Sequence, residues 1–249
     1  MLTRIFVVFT LLCGGVFAEK IEVLAAASLK FVLEDIKKEF LQTHTHDTIE
    51  ISYISSGKAY AQIQNGSLAE LFIAADTQYP QRLYQDKLAA DTPKNYVRGK
   101  LVVFSANKNF NANTIEILKN TSIHNIAIPN AKLAPYGVAA EEYIKSAKLE
   151  QILAPKLVLG ESIGQATTYV LEGSAEIGFS ALSMVIKEAQ KEGSPITYSI
   201  IDEKLYTPIV QSLVITKAGK DSQLAKEFSQ YLLGEKAQAI FASYGYDAP

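Results

Sequence analysis

Four short stretches place small or hydroxyl-bearing residues where a strand-like segment gives way to a helical pattern. These stretches are Ser28, Ser56 with Gly57, the backbone around Tyr136 and Gly137, and the backbone around Ser162 and Ile163. The first turn of a helix carries unpaired N–H groups and about half a positive charge, so it binds anions. Four such turns that converge would form a cage of hydrogen-bond donors for one small anion.

The donors at these junctions are neutral, and this restricts the kind of anion that they could hold. Lys30 and Lys58 are near them in sequence, but both fall inside the predicted helices. Neutral donors can still stabilise a buried dianion, because each charge-assisted hydrogen bond contributes about 1.5–3 kcal/mol. A protonated ligand would need a carboxylate acceptor, yet we expect Asp76 to cap a helix and Glu161 to lie at the surface. The pattern therefore favours a fully ionised tetrahedral oxyanion.

The elements that must position these junctions alternate between strand and helix. Six apolar strand-like segments each precede a helical pattern, at residues 21–26, 48–54, 70–75, 125–128, 157–160 and 175–180. Such alternation predicts parallel sheets with right-handed crossover connections. Ligands of these sheets lie beyond the carboxyl ends of the strands, where the helices begin.

The two halves of the chain form two similar α/β units, and the last strands and helices exceed what the second unit needs. We therefore predict two lobes, one built from residues 19–105 with 207–249 and the other from residues 106–206. Two chain crossings between the lobes would form a hinge beside a cleft. A single continuous sheet would contradict this prediction.

The amino-terminal segment is typical of a secretory signal peptide. A basic residue precedes an apolar run at residues 5–16, and small residues follow, so we predict cleavage after Ala18. The apolar run is shorter than the roughly 20 residues that a transmembrane helix needs. Cys13 lies inside this run, and a lipid anchor there is disfavoured because Leu12 occupies a position that is usually small. The mature chain is expected to be soluble in the export compartment and without disulfides.

Several functional classes are disfavoured. The net charge is −2 and no basic cluster occurs, which argues against binding of nucleic acid. The chain lacks G-x-S-x-G, a P-loop and G-x-G-x-x-G, so nothing indicates a serine hydrolase or a nucleotide site. His44 and His46 have the spacing of metal ligands, but no third ligand is evident, and a solvated turn is favoured. An iron site would need carboxylate, His or Tyr ligands that converge on the cleft.

Six motifs follow one another along the chain: AAASL at 25–29, SSG at 55–57, NGSLAELFIAAD at 65–76, APYG at 134–137, ESIGQA at 161–166 and GEKAQAIFASYGY at 234–246. With these motifs in this order, the chain resembles the periplasmic molybdate-binding proteins, which are the substrate-binding components of molybdate ABC transporters. The resemblance covers the whole predicted mature chain.

The resemblance implies an α/β fold of the type II periplasmic binding protein kind, with the ligand in the cleft between two lobes. It implies binding of molybdate and tungstate and delivery to a membrane permease, without catalysis and without a cofactor. A periplasmic monomer is expected. A binding protein for another oxyanion such as sulfate, and an α/β enzyme acting on a small anionic substrate, are the alternatives.

The resemblance also implies the residues of the site. Ser28 and Ser56 would donate from their hydroxyls and backbone N–H groups, and Tyr136 and Ile163 from backbone N–H groups. Molybdenum would be bound as its oxyanion, without direct metal ligands. Some members add a tyrosine hydroxyl at the position where this chain has Ala181. Either the site here has fewer hydrogen bonds, or a neighbour such as Ser180 or Ser183 substitutes.

Overall fold

The computed structural model describes residues 18–249 of the chain. Residues 1–17 of the predicted signal peptide, Cys13 among them, lie outside the described residues. Within residues 18–249, no helix has the length and apolar character that crossing a membrane requires.

The described residues form ten strands, in chain order β1 (Lys20–Ala26), β2 (Thr48–Ile54), β3 (Leu71–Ile73), β4 (Lys94–Gly99), β5 (Leu101–Ser105), β6 (Ile126–Pro129), β7 (Leu157–Gly160), β8 (Ile177–Ala181), β9 (Thr197–Ile200) and β10 (Ile209–Ile215). The α-helices of the same residues are α1 (Lys30–Leu41), α2 (Ser56–Gln64), α3 (Gln78–Gln85), α4 (Pro135–Ser146), α5 (Glu150–Leu153), α6 (Ile163–Leu171), α7 (Leu182–Ala189), α8 (Gln223–Leu233) and α9 (Glu235–Ser243). A 3-10 turn, Ala27–Leu29, joins β1 to α1.

The strands are divided between two five-stranded sheets. The first has the order β2-β1-β3-β10-β4, and the second has the order β7-β6-β8-β5-β9. In the first sheet β1 runs parallel to β2 and β3, whereas β10 runs antiparallel to β3 and β4. In the second, β6 runs parallel to β7 and β8, whereas β5 runs antiparallel to β8 and β9. Two separate sheets flanked by helices confirm the predicted two-lobed α/β class. The sheets are not mostly parallel, as the alternation predicts, because β10 and β5 enter them antiparallel to both of their neighbours.

One strand lies in a different sheet from the one that the sequence-based boundary implies. Residues up to 105 were placed in the first lobe, but Leu101–Ser105 pairs with β8 and β9 of the second sheet. The chain therefore passes from one sheet to the other at Gly99 and Lys100. The apolar run Leu101–Phe104 predicts a buried strand, but it carries no information about the partner of that strand. The chain returns to the first sheet with β10, which lies between β3 and β4.

Helix α1 shows how the fold holds the end of β1 in place. Leu33, Ile36 and Phe40 recur at the spacing of one helix face, and each is at most 2% exposed. Burying a side chain of this size contributes about 1.5–3 kcal/mol. The face packs α1 firmly against the first lobe, so the turn between β1 and α1 has little freedom to move.

Candidate functional site

Ser28 lies in the 3-10 turn Ala27–Leu29 and does not cap α1. The residue before α1 is Leu29, which makes no side-chain cap hydrogen bond. Ser28 is 1% exposed, and its Oγ has no hydrogen-bond partner among the described residues. A buried hydroxyl without a partner costs about 1–3 kcal/mol. This hydroxyl is therefore available to a ligand. Because it costs stability, its presence is better explained by binding than by folding.

Ser56 is the first residue of α2 and is fully buried. Its Oγ accepts a 2.9 Å hydrogen bond from the backbone N–H of Ala75, just beyond β3. Because the oxygen acts as the acceptor in this bond, the hydroxyl proton of Ser56 remains free to be donated. The next N–H along the chain is committed, since Gly57 donates to the carbonyl of Leu133 at 2.9 Å. The sequence counted Gly57 among the candidate donors, and the structure gives it a protein partner instead.

Tyr136 and Ile163 begin two helices of the second lobe. Tyr136 is the second residue of α4, which starts at Pro135, and Ile163 is the first residue of α6. Their backbone N–H groups belong to first turns, which have no acceptor inside the helix. The side chain of Ser162 caps α6 by accepting the N–H of Gln165 at 3.1 Å. Both helices thus present their amide ends, as the sequence predicted for these junctions.

Two contacts bring α2 of the first lobe against the second lobe. The Gly57 N–H bonds to the Leu133 carbonyl, two residues before α4 begins. Lys58 Nζ lies 2.5 Å from Glu161 Oε2, two residues before α6 begins. The start of α2 therefore lies beside the starts of both helices in the second lobe.

Two further contacts bring the turn at Ser28 against the second lobe. A Cβ added to Gly164, in the first turn of α6, would lie 3.2 Å from the Cβ of Ala27. The Ser183 hydroxyl of α7 donates a 2.9 Å hydrogen bond to the Ser28 carbonyl. These contacts bring the start of α2 and the turn at Ser28 against the starts of α4, α6 and α7, where the two lobes meet.

The carboxylates near this region have other roles. Asp76 Oδ1 accepts the backbone N–H of Tyr79, in the first turn of α3, at 2.8 Å, although the N-cap position itself is Thr77 and not Asp76 as predicted. Burial raises the pKa of Asp76 to about 6. Glu161 lies at the rim, where its side chain is 65% exposed and pairs with Lys58. The polar groups of this region are thus mainly hydroxyls and the N–H groups of helix first turns.

Ala181 ends β8 and is fully buried, and its methyl group has no hydrogen-bond donor to offer in place of a tyrosine hydroxyl. The neighbouring hydroxyls have partners within the protein. Ser180 Oγ pairs with Thr167 Oγ1 at 2.7 Å, and Ser183 Oγ bonds to the Ser28 carbonyl. This arrangement favours the first of the two alternatives, namely a site with fewer hydrogen bonds.

Sequence reasoning missed two participants, the carbonyl of Leu133 and the hydroxyl of Tyr246. Tyr246 follows α9 and reaches Ser28, as described below. A backbone carbonyl leaves no signature in sequence, whereas Tyr246 lies in the last of the recognised motifs. His44 lies beyond the opposite end of α1 from Ser28, and its ring stacks on Phe40 with 3.8 Å between the ring centroids. Within residues 18–249, no group of three or more His, Cys, Asp or Glu residues is placed to hold a metal ion.

Comparisons with known proteins agree on one family. The family model described as bacterial extracellular solute-binding protein matches residues 21–247. The chain is 36% identical to the molybdate-binding protein ModA of Azotobacter vinelandii, covering 95% of this chain and 93% of that protein. It is 34% identical to ModA of Rhodobacter capsulatus, covering 90% of this chain and 88% of that protein.

A solved structure agrees with the sequence relatives. The periplasmic molybdate-binding protein of Azotobacter vinelandii superposes with a TM-score of 0.86 at 33% identity, covering 92% of this chain and 99% of that one. The fold, the order of the motifs and the relatives lead to the same result. The chain belongs to the bacterial extracellular solute-binding proteins and, among them, to the family of the molybdate-binding proteins.

Proposed function

We propose that this protein binds molybdate, and also tungstate, in the cleft between its lobes. The hydroxyls and N–H groups of Ser28 and Ser56 hold the oxyanion from the first lobe. The backbone N–H groups of Tyr136 and Ile163 hold it from the second lobe. No cofactor and no bond-making step is involved, and the relatives named above are binding proteins.

One observation carries the proposal. The Ser28 hydroxyl is buried and has no hydrogen-bond partner among residues 18–249, and its 3-10 turn lies against the first turn of α6. An anion there would supply the missing acceptor, and it would receive neutral donors from both lobes. Helix first turns favour negative charge, and a dianion gains more from them than a monoanion does.

The same contacts explain why binding would be linked to lobe closure. Donors from two lobes can reach one ion when the lobes are together, so the ion stabilises the closed form by the difference in its affinity for the two forms. We propose that a membrane permease of an ABC transporter recognises this closed form and receives the ion from it. Export through the predicted signal peptide, with cleavage after Ala18, would place a monomer in the periplasm.

Calorimetric titration of the mature protein with molybdate, tungstate, sulfate, phosphate and chromate tests the proposal. We expect tight one-to-one binding of molybdate and tungstate and weak or absent binding of phosphate, which carries a proton near neutral pH. Bound ligand should also raise the melting temperature by mass action. Tighter binding of sulfate than of molybdate would overturn the assignment in favour of the sulfate alternative, and chemical turnover of any ligand would favour an enzyme.

Two measurements test the location and the oligomeric state. Amino-terminal sequencing of the exported protein should begin at Glu19, and a retained Met1 would contradict the signal-peptide prediction. Sedimentation in the presence of molybdate should give the mass of one chain, and a dimer would contradict the proposed monomer.

A further inference from the structure

The last residues of the chain lie between the two lobes, beside the passage at Gly99. Asp247 bonds to the side chains of Arg98, at 3.2 Å, and Lys100, at 2.9 Å. Gly245 has φ +82, and a Cβ at this position would lie 2.5 Å from Leu182 Cδ2 of α7. Residues 245–247, called the tail below, therefore pack closely against the crossing between the sheets at Gly99 and against α7 of the second lobe.

Tyr246 uses this position to reach the site. It is 4% exposed, and its hydroxyl, which has a single proton, lies within hydrogen-bond distance of two acceptors, the Ser28 carbonyl at 3.2 Å and Ser183 Oγ at 3.0 Å. Ser183 in turn donates to the same Ser28 carbonyl at 2.9 Å. Both lone pairs of that carbonyl can thus be occupied by hydroxyls, one from the tail and one from the second lobe.

The Tyr246 hydroxyl is suited to this task. Burial raises its pKa to about 12, so it keeps its proton at neutral pH and can donate. The ring packs edge-on against Phe241 of α9, with 5.5 Å between the ring centroids. A rigid ring with a fixed hydroxyl holds a carbonyl more precisely than a flexible side chain would.

We infer that Tyr246 and Ser183 are positioning residues of the oxyanion site, which hold the Ser28 carbonyl so that the unpartnered Ser28 hydroxyl faces the ligand. This inference rests on the proposed function. Both residues act through Ser28 and not on the ion. Because Ser183 belongs to the second lobe and Ser28 to the first, their hydrogen bond also makes the geometry of Ser28 depend on lobe closure.

Tyr246→Phe and Ser183→Ala test the inference, with Tyr244→Phe as the matched control. Tyr244 lies two residues away, just before the tail, and its hydroxyl donates to Asp35 Oδ2 of α1 at 2.6 Å, within the first lobe. We expect Tyr246→Phe and Ser183→Ala each to weaken molybdate binding by roughly 3- to 30-fold, the effect of losing one or two hydrogen bonds. Tyr244→Phe should leave the affinity within about twofold, even where it lowers the melting temperature of the ligand-free protein.

A double-mutant cycle separates positioning from general structural damage. If Tyr246 acts through the Ser28 hydroxyl, Tyr246→Phe should cost less affinity in a Ser28→Ala background than in the wild type. Additive losses, or equal affinities for Tyr246→Phe and Tyr244→Phe, would overturn the inference. Absence of molybdate binding by the wild-type protein, measured in the same series, would instead overturn the proposed function.

Discussion

The backbone N–H of Gly57 donates a 2.9 Å hydrogen bond to the carbonyl of Leu133, and this bond joins the start of α2 in one lobe to the approach to α4 in the other. Nothing larger than glycine fits at this contact. A Cβ on Gly57 would lie 2.8 Å from the Tyr79 hydroxyl and 2.9 Å from the Leu133 carbonyl oxygen. This contact between the lobes thus depends on the absence of a side chain at Gly57.

Gly57→Ala should therefore hold the lobes apart. We expect it to weaken molybdate binding by roughly tenfold or more, the usual cost of overpacking a tight contact, with little change in the stability of the ligand-free protein. Calorimetry together with thermal unfolding would measure both effects.

Gly234→Ala is the matched control for Gly57→Ala. Gly234 has φ −82, and its nearest neighbour to an added Cβ is the Tyr231 carbonyl oxygen at 3.3 Å, within the first lobe. This variant should bind molybdate as the wild type does. Equal affinities for Gly57→Ala and the wild type would show that this contact does not take part in closure.

The junctions were predictable from sequence because they depend on local chemistry. Strand and helix periods, together with small residues between them, predict that helices begin near all four junctions. In the structure Ser56 and Ile163 are the first residues of helices, Tyr136 is the second, and Ser28 lies in the turn before α1. The sheet to which β5 belongs was not predictable, since an apolar strand can pair in either lobe. The roles of the Leu133 carbonyl and the Tyr246 hydroxyl could not be predicted from the sequence either, because they arise from tertiary packing.

The position of Ser28 could be predicted from the sequence only in part. A serine at this point of the sequence predicts a helix cap. The structure places it in the 3-10 turn Ala27–Leu29, and the N-cap position of α1 is taken by Leu29. Its availability to a ligand became evident from burial and from the absence of a partner among the described residues.

Ser56→Ala should affect both binding and folding. The variant removes a donor to the oxyanion and also the acceptor for the buried N–H of Ala75. An unpaired buried N–H costs about 1–3 kcal/mol, so the free energy of unfolding of the ligand-free protein should fall by that amount. Urea unfolding and calorimetry measure the two effects, and unchanged stability would contradict the role given to the Ser56 oxygen.

Lys58→Gln tests whether the oxyanion is bound by neutral groups. Lys58 is 40% exposed and pairs with the 65% exposed Glu161 at the rim, and such exposed pairs contribute about 0–1 kcal/mol. We expect molybdate affinity to fall by less than about fivefold, and the difference to shrink at high salt. A loss of a hundredfold or more would mean that Lys58 contacts the ion directly.

Asp76→Asn should change how stability depends on pH. Burial raises the pKa of Asp76 from 3.8 to about 6, so the folded state binds its proton more tightly than the unfolded state does. Above about pH 6 the ionised carboxylate therefore lowers the stability of the folded protein. This cost disappears as the pH falls below 3.8, the pKa of the unfolded state. Asparagine keeps an oxygen acceptor for the Tyr79 N–H and removes the charge.

Denaturant unfolding of the ligand-free protein at several pH values measures this effect. We expect Asp76→Asn to raise the free energy of unfolding near neutral pH by on the order of 2–3 kcal/mol, and we expect the difference from wild type to vanish toward pH 4. A difference that is constant across this range would show that Asp76 does not titrate as stated.

The most direct test of the proposed site is the affinity of Ser28→Ala for molybdate, measured beside the stability of the same variant without ligand. The variant removes a buried hydroxyl that has no protein partner among the described residues, so the ligand-free protein should be as stable as the wild type or more stable. Loss of one charge-assisted hydrogen bond should weaken molybdate binding by roughly ten- to a hundredfold. Wild-type affinity in Ser28→Ala would contradict the placement of the oxyanion at these four helix first turns.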